Sequence, residues 1–150
     1  TCGPGYLPRP GYFALRHLNA KFPPGSEFEV LDHEIAVIAD LENRRRLEVL
    51  YGSFDPHAYL FRRQDGVLFL ALWNGGRAAD RQTELPVADV ELPFELASEN
   101  TGVYDLLLGS DRAWFTSEPV RVRIRNRNGR SRIEGVKFCD TPVLLELKTR

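Results

Sequence analysis

Between Val120 and Arg127 every second residue is an arginine, and the positions between them begin as a run of apolar residues. Val120, Val122 and Ile124 are interleaved with Arg121, Arg123, Arg125 and Arg127. Successive side chains of a strand point to opposite faces, so this pattern predicts an extended segment with one apolar face and one face of guanidinium groups. Asn128-Gly129 follows, a pair suited to the left-handed backbone of a tight two-residue turn. The returning strand carries Arg130 and Arg132 outward with Ile133 inward, and Gly135 then shifts the phase to Val136 and Phe138, which predicts a bulge. Val143, Leu145 and Leu147 supply one more alternating strand.

Earlier in the chain, His57 to Arg63 and Val67 to Trp73 flank Gln64-Asp65-Gly66 and read as a second hairpin. Its second arm is apolar on both faces, with Val67, Phe69, Ala71 and Trp73 on one and Leu68, Leu70 and Leu72 on the other. That is the pattern of a mid-sheet strand covered on both sides, with Trp73 ending a run that reads as core. Val87 to Leu92 and Phe94 to Ala97, interrupted by Pro86 and Pro93, suit edge strands. Glu27 to Tyr51 fits two patterns. Ile35, Val37, Ala39 and Leu41 alternate as a strand would, while Leu31, Ile35, Ile38 and Leu41 fit a helical stripe. The clustered β-branched residues and the alternation of Leu47, Val49 and Tyr51 favour strands, with a helix as the alternative. Phe13 to Phe22 allows a short helical turn stopped by Pro23-Pro24-Gly25. Residues 1–12, with three prolines and three glycines, predict an extended arm.

About eight to ten short strands with frequent turn signals favour an antiparallel sandwich or barrel. With 150 residues, 43% of them hydrophobic, the chain suffices for one core and falls short of two. The expected organisation is an arm over residues 1–12 and one β-sandwich domain over 13–150. A seven-residue segment, Asn100-Thr101-Gly102-Val103-Tyr104-Asp105-Leu106, refines this. It resembles the acidic-x-Gly-x-Tyr-x-Cys turn and strand of immunoglobulin-like sandwiches, in which the tyrosine forms a corner. Asn100 stands in the acidic position and Leu106 in that of the cysteine, so the inter-sheet disulfide of antibody domains is excluded. The resemblance implies an all-β, antiparallel immunoglobulin-like β-sandwich and carries no ligand with it.

The chain contains no methionine, so it is expected to begin at a processing point or an artificial boundary. Cys2 and Cys139 lie near opposite ends, with no C-x-x-C or Cys/His spacing of a zinc site. A bridge between them would tie down the proline-rich terminus and favour a secreted, periplasmic or extracellular location. The alternatives are two unrelated thiols, or a lipid-bearing Cys2, against which Thr1 argues. The apolar runs are far shorter than the ~20 residues a spanning helix needs. Lys and Arg total 20 against 21 Asp and Glu, a formal net charge of -1, so no broad basic footprint for nucleic acid exists.

Charge is concentrated locally instead. Of 20 basic residues 17 are arginines, and Arg121, Arg123, Arg125, Arg127, Arg130 and Arg132 fall on one predicted hairpin. Like charges side by side on a sheet repel, so this ladder either meets acidic neighbours, with Glu84, Asp89, Glu91, Glu95 and Glu99 as candidates, or faces an anionic partner. The leading expectation is a non-enzymatic binding or assembly module that recognises an acidic protein patch or acidic glycan through these arginines. The alternative is a carbohydrate-binding domain stacking sugar rings on Trp114 and Phe115, or on Trp73 with Tyr59 and Phe61. A third reading is a small hydrolase around His57, which shares a strand face with Asp55. No nucleophile elbow, phosphate loop, His-Glu-x-x-His or dinucleotide motif is present, and neither a cofactor nor a metal is expected.

Overall fold

Asp40 decides the local structure of the ambiguous segment. Its carboxylate Oδ1 accepts the backbone N–H of Asn43 at 2.8 Å, filling one of the donors that a helix N-terminus leaves open. Helix α1 (Leu41–Tyr51) follows and ends at Gly52, whose φ of 88° is the left-handed conformation that favours glycine at a helix end. Leu47 and Tyr51 are buried and Leu50 partly so, one helical face, whereas Val49 is 74% exposed. The expected strand through Leu47, Val49 and Tyr51 is therefore corrected. Both periods accept Leu47 and Tyr51, and the outward Val49 shows which one the chain follows.

The computed structural model describes residues 22–77, 85–97, 102–105, 120–121, 123–137, 139–140 and 142–149, with backbone alone at 102–105 and 120–121. Apart from α1 the elements are strands: β1 (Phe28–Leu31), β2 (Ala36–Ile38), β3 (Pro56–Arg63), β4 (Leu68–Asn74), β5 (Val87–Leu92), β6 (Gly102–Asp105), β7 (Val120–Arg121), β8 (Arg123–Arg127), β9 (Arg130–Lys137) and β10 (Val143–Leu147). They form two antiparallel sheets, one ordered β1-β3-β4-β10-β6-β7 and the other β2-β5-β9-β8. The protein is thus mostly β, as the short alternating runs predict. The expected arm at 1–12 and the helical turn at 13–22 lie, except for Phe22, outside the described residues.

One apolar cluster joins the two sheets and the helix. Leu60, Leu68, Leu70 and Leu72 of the six-stranded sheet, Val90, Leu92, Ile133 and Val136 of the four-stranded sheet, and Leu47 of α1 all belong to it. Burying one such leucine contributes about 2 to 3 kcal/mol, so this shared core outweighs any single polar contact at the surface. Strand β4 sits between β3 and β10, which bears out the mid-sheet expectation.

Pairing corrects two expectations. Strand β5, read as an edge, is interior, held between β2 and β9; Pro86 and Pro93 bound the strand without interrupting its ladder. Of Phe94–Ala97, Leu96 makes an isolated bridge to Thr149. The bulge expected at Gly135 is present. The β5–β9 register shifts between Ala88 and Val90, and Gly135 has a φ of 69°. The alternating run from Val120 to Arg127 is divided between sheets, since β7 pairs with β6 and β8 with β9.

Candidate functional site

Strands β8 and β9 are joined by Asn128 and Gly129, with φ of 54° and 76°, the tight turn that this pair predicts. Arg123, Arg125 and Arg127 are exposed, while Ile124 and Asn126 between them are partly buried. The alternation thus places the arginines as expected on the outer face. Register then creates an electrostatic problem, because Arg125 lies opposite Arg132 and Arg127 opposite Arg130.

Acidic side chains resolve most of it. Arg125 Nε lies 2.7 Å from Glu134 Oε1, Arg130 Nη1 2.9 Å from Glu91 Oε1, and Arg132 Nε 2.9 Å from Asp89 Oδ2. Asp89 and Glu91 arrive from β5 and were among the acidic candidates in the sequence; Glu134, on the hairpin itself, was not. Its place one strand position after inward-facing Ile133 was the available signal. These pairs are exposed enough that each is worth about 0 to 1 kcal/mol. Their main effect is to neutralise one another's charge. No described acidic side chain lies within ion-pair distance of Arg123 or Arg127. Together the hairpin and β5 shape an open groove of about 740 Å³ lined by Asp89, Glu91, Arg125, Arg127, Arg130, Arg132 and Glu134. The side chain of Arg121 lies outside the description.

The outer face of the six-stranded sheet holds the other candidates. His57 of β3 stands directly opposite Trp73 of β4, and their rings stack with centroids 5.4 Å apart. Tyr59 stacks on the same indole at 5.4 Å and is 52% exposed. Trp73 is half-buried and lies on the outer face, so the expectation that it ends a core run is corrected. Phe69 on that face is buried, packed by Phe61 at 5.8 Å and Phe22 at 4.8 Å. A strand apolar on both faces can bury one side in the shared core and the other beneath neighbouring aromatics.

Asp55 and His57 do share a face, with Oδ2 and Nε2 3.1 Å apart. The backbone N–H of Gly75 donates to the Asp55 carbonyl at 2.7 Å. A side chain at Gly75 would collide with Asp55 Oδ2, so glycine allows the loop to approach this pair closely. The arrangement can orient an imidazole. No group of three His, Cys, Asp or Glu side chains suited to a metal occurs among the described residues.

Trp114 and Phe115 lie outside the described residues, as does Cys2. Cys139 is buried, and no disulfide is found among the described residues. No described helix is long and apolar enough to cross a membrane. No family model, curated protein or solved structure matches the chain, and Gly102–Asp105, the described part of the immunoglobulin-like segment, forms strand β6 between β10 and β7.

Proposed function

We propose that this chain is a non-enzymatic binding or assembly module, built as an immunoglobulin-like β-sandwich, that recognises an anionic partner through the β8–β9 hairpin. The observation that carries the reading is the unequal pairing of its arginines. Arg125, Arg130 and Arg132 hold intramolecular acids, while Arg123 and Arg127 project from the same exposed face with none among the described residues. Guanidinium groups with no acid within ion-pair distance among the described residues can take a carboxylate or sulfate from outside. A location outside the cytoplasm belongs to the same proposal and rests on the sequence alone.

The test compares wild type with the Arg123→Glu/Arg127→Glu variant in affinity capture from native extract and in binding to immobilised heparin and polyglutamate. Both side chains are exposed, so the variant is expected to keep its circular dichroism and Tm. It is expected to lose the captured partner and to bind either polyanion at least about tenfold more weakly. Equal capture and equal polyanion binding by both proteins would overturn the proposal.

Exposed Tyr59 stacked on half-buried Trp73 supports a second reading, a sugar-binding face on the six-stranded sheet in place of one at Trp114. Loss of glycan-array binding in Tyr59→Ala, with the arginine variant unaffected, is its expected signature. An array that wild type leaves blank would remove it.

A further inference from the structure

We propose that the edge of β8 with no described neighbouring strand receives an extended acidic peptide segment that pairs with it as an added strand. The inference rests on the hairpin being the contact surface and names the chemistry of its partner.

Strand β8 ends the four-stranded sheet, with β9 on one side and no described strand on the other. Its two-residue turn makes Arg127 and Arg130 the flanking pair, and such a pair exchanges both of its backbone hydrogen bonds. Alternation along the ladder then directs the N–H and C=O groups of Arg123 and Arg125 toward β9 and those of Ile124 and Asn126 toward the other edge. A strand laid against β8 meets a row of donors and acceptors at the spacing of its own backbone.

The side chains specify which strand. Arg123 and Arg127, four residues apart on a common face, are separated by about 13 Å along the strand. A peptide with carboxylates at every second position reproduces that spacing without strain and sets an acid beside each arginine, Arg125 included. A second copy of β8 would instead set arginine against arginine, so the feature that deters self-pairing also selects an acidic partner. A polyanionic glycan supplies charge but no row of amides.

The experiment titrates the full chain with a labelled peptide alternating Glu and Thr. Comparators are a block-sequence peptide of the same composition, the alternating peptide N-methylated at either phase of its backbone amides, and a heparin oligosaccharide. The alternating peptide is expected to bind at least about tenfold more tightly than the block sequence. Methylation in one phase should abolish binding and in the other leave it intact, and Arg123→Glu/Arg127→Glu should abolish it. Hydrogen exchange at the Ile124 and Asn126 amides should slow on peptide addition while that at Arg125 is unchanged. Binding indifferent to sequence order and to methylation, or binding of heparin alone, overturns strand pairing and leaves the anion-binding proposal standing. If neither peptide nor heparin binds, both fall.

Discussion

Asp89 on β5 holds Arg132 on β9, its Oδ2 2.9 Å from the guanidinium Nε, and with Oδ1 it accepts the backbone N–H of Gly135 at 3.0 Å. One carboxylate therefore spans the point where the β5–β9 register shifts. A bulge leaves a backbone donor without its ladder acceptor, and Asp89 supplies the replacement. With only 28% of its side chain exposed, the loss of Asp89 in Asp89→Ala is expected to cost about 1 to 2 kcal/mol in urea unfolding. Asp89→Asn, which keeps an acceptor, should cost less. Gly135→Ala meets nothing within 4 Å but must hold a φ of 69°, so its cost should be about 1 kcal/mol from the backbone alone. A silent Asp89→Ala would show that the bulge is held by the sheet without it.

Inside the same hairpin, the buried Ser131 hydroxyl accepts the Leu96 N–H at 2.6 Å and donates to Asn126 Oδ1 at 2.5 Å, while Asn126 Nδ2 donates to the Leu96 carbonyl at 2.6 Å. These contacts moor the 94–97 segment to β8 and β9. Ser131→Ala strips a buried N–H of its nearest acceptor and is expected to cost about 1 to 3 kcal/mol. Nearby Arg127→Ala, at an exposed position, should change stability by less than about 0.5 kcal/mol. Equal stabilities of the two variants would contradict this contrast.

How far the sequence discloses the fold depends on whether the deciding signal is local. The β3–β4 and β8–β9 hairpins were legible because both the alternation and the turn residues lie within a few positions, and so was the bulge at Gly135. Helix α1 stays only an alternative in the sequence because Leu47 and Tyr51 satisfy either period, and the decisive residues are its flanks, Asp40 and Gly52. The interior place of β5 was hidden because pairing with β9 joins residues more than forty positions apart, such as Val90 and Ile133. Strand β4 announced two apolar faces without saying which met the core, so Trp73 was misplaced. At the candidate site, alternation put the arginines on one face, but which of them are neutralised depends on Asp89 and Glu91 arriving from β5.

Tyr51, at the end of α1, gives a prediction with a defined sign. Burial pushes its hydroxyl up from 10.0 to about 12, nearby Cys139 and Asp140 reinforce the shift, and a backbone hydrogen bond from Asp140 opposes it. A raised folded value means the native state keeps its proton where the unfolded chain releases it. The contribution to stability is therefore complete below pH 10 and is lost as pH rises through about 12. Wild type is expected to lose stability more steeply than Tyr51→Phe across that window in urea midpoints. Identical alkaline slopes would place the hydroxyl in contact with water.

Asp40 titrates at the other end of the pH scale. The Asn43 backbone N–H first, and the Asn43 side-chain amide second, hydrogen-bond its carboxylate and hold it below the ordinary 3.8. Here the folded value is lowered, so the contribution is present above pH 3.8 and fades as pH falls through the folded value. At neutral pH, Asp40→Ala is expected to lower Tm by about 2 to 4 °C through loss of the cap, and this gap should narrow in acid. Asp40→Asn separates cap from charge: its amide oxygen still accepts a backbone N–H, so it should stay close to wild type at neutral pH. Its gap to Asp40→Ala should not change with acidification, because neither residue titrates. If Asp40→Ala melts with wild type at neutral pH, helix α1 is held by Leu47 and Tyr51 in the core and not by its cap.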